Sequence, residues 1–407
     1  MIHVCLCLHD KTGRYSKLTG TAMLSLLENH ITPPPRRLPS ITVHILHDNT
    51  LTQDNRDKFI YLAGQYGQRV EFHNVEELCA DRIAEIRKSF PTADKTSFTI
   101  AAFYRFFIPE LLPADVEKAI YLDSDIIVNL DITELWQIEL DDKPLGVITE
   151  ISNGYDSGLY FALCRDGIVK VDDYFNSGVL LINLKIFRSK EKEIIDALKF
   201  IGERHGYYDQ DTLNYCFATQ ALKLPTKFNR FVWSARMEKN ARAERKIYHY
   251  TYKVEMNMHD PFYRLWMRHF MKTPWFNEET IGRLYAGVQN LHVGLKQSMV
   301  NLSAAMSGKT RGFFILPNDV GWLKNFFSIR DDEEIITVEN QDSLKKLLDA
   351  MNASRGRKIF FILVPNFPLQ ILTQAGFAPG RDFFNGFEFF SEAQGVPLNS
   401  WPLIKAM

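Results

Sequence analysis

The chain has 407 residues, 46% hydrophobic and 13% aromatic, enough apolar matter for packed cores and against wholesale disorder. A length of this order suggests two domains, or three. The formal net charge of -1 gives no electrostatic reason to expect a nucleic-acid partner.

MIHVCLCL opens the chain as a short apolar run with neither a basic leader nor a cleavage site, so it reads as a strand rather than a signal peptide. No apolar run reaches the ~18 residues of a membrane span. The expected compartment is the cytoplasm, with peripheral contact at the inner face of the cytoplasmic membrane left open. The five cysteines, Cys5, Cys7, Cys79, Cys164 and Cys216, are scattered and read as buried thiols rather than a disulfide framework or a metal pair. TGTAMLSLLENH is a helical pattern, and the proline-rich turn TPPPRRLPS leads into the strand ITVHILHD. NRDKFIYLAGQYG is an amphipathic helix and RVEFHNV a third strand. This alternation predicts an α/β fold with a mostly parallel central sheet. Ligands of such sheets collect at the carboxyl ends of the strands.

KAIYL, the next strand, ends in Asp123-Ser124-Asp125 before IIVNL resumes the apolar run. Burying an unpaired carboxylate costs several kcal/mol, and two readings follow. One is an acidic turn in water, its carboxylates capping backbone N–H groups. In the other, carboxylates at i and i+2 around a tight turn converge on one hard divalent cation, leaving coordination positions for diphosphate oxygens.

FNSGVLLINLKIFR is a further strand run, YYDQDTLNYCF follows it, and IYHYTYKVEMNMHDPFYRLWMRHFMKTPW closes the region. EETIGRLYAGVQNLHVGLKQSMVNLSAAMSG is then helical in pattern. The strands GFFILP, EIITV and KIFFILVPN alternate with the helical DVGWLKNFF and QDSLKKLLDAMN in a second, smaller α/β unit. The expected organisation is a domain at 1–275, a helical linker at 276–295 and a small α/β domain at 296–407 of unknown role. That tail lacks D-x-D, GxGxxG and P-loop motifs, so no second catalytic centre is expected in it. Its aromatic segments FFNGFEFF and SWPLI read either as core or as a surface for acceptor presentation or self-association into a homo-oligomer.

Taken in order, YLDSDIIV, FNSGVLLINL, DQDTLN and HYT resemble the retaining family 8 glycosyltransferases of the GT-A fold, which include bacterial lipopolysaccharide glucosyl- and galactosyltransferases. The resemblance covers about residues 1–275. It implies a nucleotide-sugar-binding fold that moves glucose or galactose from a UDP-sugar to a saccharide or glycolipid acceptor in cell-surface glycan synthesis. In that family the D-x-D aspartates and a later histidine hold Mn²⁺ on the donor diphosphate. This implies Asp123, Asp125 and His249 as metal ligands, with Mn²⁺ expected and Mg²⁺ the alternative. Asp10 and Tyr15 match the uracil-binding positions, with a longer gap between them, and Arg105 matches an arginine near the donor. Asn176 matches a residue on the donor sugar, and Gly178 permits close backbone approach. Asp209, Gln210 and Asp211 match the family's DQD, which implies Asp209 and Gln210 as catalytic and Asp211 as sugar-binding, with Gln210 opposite the leaving group. Lys253 stands for the diphosphate lysine, although HYTYKVEMN replaces the family's glycine and KPW spacing. An inverting GT-A transferase, a sugar nucleotidyltransferase and a non-catalytic glycan-binding module stay open as alternatives.

Overall fold

The computed structural model describes residues 1–30, 38–89, 100–202, 208–238, 241–251, 259–282, 286–287, 289–290, 307–326, 329–340, 342–364 and 367–386. The chain divides into two compact units, Met1–Asn277 and Glu278–Met407. Lys253 and SWPLI lie outside the described residues, as does most of the helical stretch before residue 307.

The first unit is built on strands β1 (Ile2–Leu8), β2 (Ile41–His47), β3 (Arg69–Asn74), β4 (Lys118–Leu122), β6 (Leu145–Thr149), β7 (Phe175–Asn183) and β8 (Leu222–Lys223), with β5 (Ile126–Val128) leaving for a second sheet. Their order is β3-β2-β1-β4-β7-β6-β8. β1 and β2 are buried almost throughout because both faces of the sheet are covered. The period-2 alternation sorts each strand between two cores: Cys5, Cys7, Tyr121 and Leu180 enter one, Val4, Leu6, Ile120 and Val179 the other. The strands from β3 to β4 are parallel, whereas β7 runs antiparallel to both β4 and β6. That reversal has a functional consequence. It carries the N-terminal residues of β7, Asn176 to Gly178, to the carboxyl end of β4, where Asp123 follows.

Helix α1 (Arg14–Asn29) begins after Gly13, whose φ of 74° suits a residue without Cβ. A Cβ on Gly20 would lie 2.1 Å from the Trp275 ring, so the helix reaches that tryptophan only because this position is bare. Trp275 Nε1 donates to Asn55 Oδ1 at 2.7 Å in helix α2 (Gln53–Gln65), tying the end of the unit to its first helices.

A three-stranded sheet, in the order β5-β10-β9, adds β9 (Arg230–Phe231) and β10 (Ile247–His249). In the second unit β11 (Thr310–Ile315), β12 (Glu334–Thr337), β13 (Lys358–Ile362) and β14 (Phe383–Asn385) form a parallel sheet in the order β12-β11-β13-β14. Phe383, at the start of FFNGFEFF, is 1% exposed and packs in this unit's core with Phe314, Leu347 and Phe360. Phe383 is therefore core, while Phe384 beside it is half-buried; the last four residues of the segment lie outside the described residues. Among the described residues, no helix is long and apolar enough to cross a membrane.

Candidate active site

Two sheets meet at the turn that follows β4. The Asp123 N–H donates to Gly178 O at 2.8 Å, extending the β4–β7 ladder past its last paired residue. On the other side β5 pairs antiparallel with β10, placing His249 opposite Ile126, and the Tyr250 N–H donates to Asp125 O at 2.9 Å. The serine between the aspartates pins the turn. Thr19 Oγ1 of α1 donates to Ser124 Oγ at 2.8 Å, and Ser124 Oγ donates to Cys7 O at 3.1 Å.

These pairings bring His249, from much later in the chain, onto the two aspartates of the turn. His249 Nε2 lies 3.2 Å from Asp125 Oδ1 and 3.7 Å from Asp123 Oδ2, and one ligand atom from each residue falls within 4.8 Å of the others. The histidine side chain is 5% exposed, the two carboxylates 24% and 28%, so the cluster opens to solvent on its acidic side. Burial disfavours charge on both Asp125 and His249, yet their mutual attraction wins: the carboxyl sits below its usual range and the imidazole above its own.

Neighbouring groups fix each donor atom. Arg105 Nη2 at 3.1 Å and the Tyr121 hydroxyl both donate to Asp123 Oδ1, leaving Oδ2 toward the cluster. Asn229 Nδ2 donates to Asn176 Oδ1 at 2.8 Å, so Asn229 Oδ1 is the acceptor facing His249 Nδ1 at 3.1 Å. Nδ1 then carries a proton in either charge state, and Nε2 is the position that either donates a second proton to the aspartates or, in the neutral ring, offers a lone pair to a cation. Gly178 keeps the space clear. A Cβ there would stand 2.3 Å from His249 Cε1 and 2.8 Å from Asp123 Oδ2. Two carboxylates, one oriented imidazole and a bare strand position fit a hard or borderline divalent cation.

A hydrogen-bonded floor continues from this cluster. Gln210 Oε1 accepts from Asn176 Nδ2 and from the Ser177 N–H, both at 3.1 Å. Its Nε2 donates to Glu150 Oε1 at 3.2 Å and to the Tyr174 hydroxyl at 3.3 Å. Asp209 pairs with Arg105 at 3.2 Å, and Arg105 Nη1 also donates to Ser177 O at 2.8 Å. The structure thus joins Asp123, Asp125, His249, Arg105, Asn176, Gly178, Asp209 and Gln210 in one network. Asp211 is set apart, 1% exposed and accepting from the Tyr174 hydroxyl at 2.6 Å, beneath the floor rather than on it. Asp10 is also turned inward. Its two oxygens accept from the Tyr15 and Ser16 N–H groups at 2.9 and 3.1 Å, capping the first turn of α1, which Gly13 cannot cap. Tyr15 itself is 38% exposed and available to a ligand.

Sequence reasoning missed the roles of Glu150, Asn229 and Tyr174, which belong to no quoted motif, and that of Tyr121, which opens YLDSDIIV. Glu150 follows β6 directly, and burial pushes its carboxyl up to about 7 against the hydrogen bonds from Asn176 and Gln210. Because the folded pKa exceeds the ordinary value, Glu150 favours folding at low pH and loses that contribution as pH rises through about 7. Relative to Glu150→Gln, the wild type should lose about 2–3 kcal/mol of unfolding free energy between about pH 5 and about pH 8. Urea melts of both proteins across that range test this, and a pH-independent difference would mean that Glu150 is ionised when folded.

Comparison with known proteins gives this geometry its context. Residues 5–254 match the family model described as Glycosyl transferase family 8. General stress protein A of Bacillus subtilis (strain 168) is 25% identical over 235 residues, 56% of this chain and 73% of that protein. The lipopolysaccharide 1,3-galactosyltransferase of Salmonella typhimurium is 26% identical over 195 residues, 47% of this chain and 54% of that enzyme. The chain therefore spans little more than half the length of that transferase. Among solved structures, the galactosyltransferase LgtC in complex with donor and acceptor sugar analogues superposes with a TM-score of 0.53 at 21% identity, covering 69% of this chain and 99% of that one, a likeness of fold.

Proposed function

The chain belongs to glycosyl transferase family 8, and from that premise we propose that it moves a hexose, glucose or galactose, from a UDP-sugar to a saccharide or glycolipid acceptor with retention at the anomeric carbon. The observation that carries this reading is the convergence of Asp123, Asp125 and His249 in a cradle kept open by Gly178. In this reading those three side chains hold Mn²⁺, with Mg²⁺ the alternative. Bound there, the cation supplies positive charge against the diphosphate as its bond to the sugar breaks.

The chain's own residues do the rest. Asp10 fixes the turn that presents Tyr15, whose exposed ring stacks on the uracil base. Arg105, held by Asp123 and Asp209, is the preorganised cation on the donor side of the floor. Asn176 and Asp209 take hydroxyls of the donor sugar. Gln210, locked by four hydrogen bonds, faces the anomeric carbon from the side opposite the leaving group. An amide is a poor nucleophile, so Gln210 positions and shields that face rather than attacking it. The bond from the anomeric carbon to the diphosphate oxygen breaks with its electron pair going to that oxygen. The acceptor hydroxyl bonds to the carbon on the same face, and its proton passes to the departing UDP. Lys253 remains the proposed partner of the diphosphate.

A thermal-shift experiment tests the donor site. Mn²⁺ and UDP together should raise the melting temperature by more than the sum of their separate shifts, because each supplies ligands the other lacks. A ligand at a hundredfold excess over its Kd stabilises by about 2.7 kcal/mol. Equal UDP shifts with and without chelator would remove the cation from donor binding.

A further inference from the structure

A row of histidines crosses the edge of the central sheet. His3 on β1, His44 on β2 and His73 on β3 are linked by two short nitrogen–nitrogen contacts. His3 Nδ1 lies 3.0 Å from His44 Nε2, and His44 Nδ1 lies 3.0 Å from His73 Nε2. Their rings follow one another at centroid spacings of 5.3 Å. The register explains the meeting. His44 pairs with Glu71 and Leu46 with His73, so Glu71 and His73, two apart on β3, flank the side chain of His44 on the same face. Glu71 Oε2 stands 3.4 Å from His44 Nδ1.

We propose that His44, Glu71 and His73 form a second cation site, one for a nitrogen-preferring transition metal of the Zn²⁺ class, independent of the Asp123–Asp125–His249 cluster. Their donor atoms converge on one point, all within 4.8 Å of one another. The separations of 3.0 and 3.4 Å bracket the ~3.3 Å edge of a tetrahedron built from metal–ligand bonds of about 2.0–2.1 Å. Two imidazoles and one carboxylate with a fourth position open is a recognised zinc ligand set. The outer partner is also present. With the metal on His44 Nδ1, the proton of that ring sits on Nε2, and His3 Nδ1 is placed to accept it, fixing the tautomer as ligating histidines require. Entry is open on one side, because the Glu71 side chain is 49% exposed while that of His44 is 1% exposed.

The two cation sites differ in kind. The first offers two oxygens and one nitrogen, the second two nitrogens and one oxygen, and imidazole-rich sets favour zinc over manganese. Because β3 is the edge strand, a metal here cross-links the edge to its neighbour and stabilises the folded chain without UDP.

The test uses the full chain freed of any polyhistidine tag, with Co²⁺ as the spectroscopic probe and Zn²⁺ as competitor. The wild type should develop the visible absorption of tetrahedral Co²⁺, and Zn²⁺ should abolish it. Asp125→Ala should retain that band. His73→Ala should weaken Zn²⁺ binding by at least about 100-fold, and Glu71→Gln by tenfold or more, as expected for lost ligands. Both variants should keep the joint thermal shift with Mn²⁺ and UDP, which separates failure here from failure of the donor site. A wild type that binds no Zn²⁺, a band lost in Asp125→Ala, or unchanged Zn²⁺ affinity in both His73→Ala and Glu71→Gln would each overturn the second site.

Discussion

Gly178→Ala is expected to lose the joint Mn²⁺ and UDP thermal shift and to cut transfer by more than about 100-fold while the chain still folds. One methyl group has this effect because of where it lands. The added Cβ would stand 2.3 Å from His249 Cε1, 2.8 Å from His249 Nδ1 and 2.8 Å from Asp123 Oδ2. Real contacts at such distances do not persist, so either the imidazole or the carboxylate must move, and those are two of the three proposed ligands. A misplacement of about 1 Å in a preorganised site costs on the order of a hundredfold in rate. Overpacking alone costs about 1–3 kcal/mol. A control separates the two effects. Gly146→Ala, on β6 of the same sheet, would meet Leu224, Leu140 and Leu181 at 3.0 to 3.3 Å, an apolar crowding away from the cluster. It should lower stability yet preserve the cation response. Wild-type transfer by Gly178→Ala would show that the cradle is not where the donor diphosphate binds.

Much of this site could be read from local sequence, and the unread part has a common physical cause. Asp123 and Asp125 stand out because two carboxylates interrupt an apolar run, and DQD stands out at the start of the helix Tyr208–Phe217. The alternation of strands and helices was visible for the same reason, since strands buried on both faces are nearly continuous apolar runs. Asn229 and Glu150 carry no such mark. Each is an ordinary polar residue in sequence, and each becomes important through long-range pairing: Asn229 orients the His249 ring across 20 residues, and Glu150 meets Gln210 across 60. Asp10 shows the reverse case. Its type and place match a ligand-reading position, and the structure adds a task no motif announces: a helix whose N-cap is glycine needs an acceptor for its first N–H groups, and Asp10 meets that need. The histidine row is invisible to any local pattern because its register spans three strands.

Asp125→Ala should abolish detectable transfer, a loss of about a thousandfold or more, while leaving a cooperative melt. Removing one of the three proposed ligands would take away several kcal/mol of charge stabilisation at the proposed diphosphate leaving group, and about 1.4 kcal/mol corresponds to each tenfold in rate. The side chain is 28% exposed and packs in no apolar core, so the cation-free fold does not depend on it. What the cation-free protein does lose is the pairing with His249. Burial opposes both charges, but the Asp125 carboxyl is held below its ordinary value of 3.8 and the His249 imidazole above its ordinary 6.5. The depressed acid contributes stability present above its unfolded pKa. The raised base contributes stability present below 6.5 and lost as pH climbs through the folded value. The pair therefore stabilises the cation-free chain at mildly acidic pH and fades on the alkaline side. Asp125→Ala should cost most at mildly acidic pH and least once the pH has passed the elevated His249 value. The proton and the metal also compete for the same Nε2 lone pair, so Mn²⁺ affinity in the wild type should rise as pH passes the elevated His249 value. Melts with chelator across that range, together with Mn²⁺ titrations in the presence of UDP, check both directions. A variant that fails to fold at any pH would make Asp125 structural, and one with full transfer would remove it from the cation site.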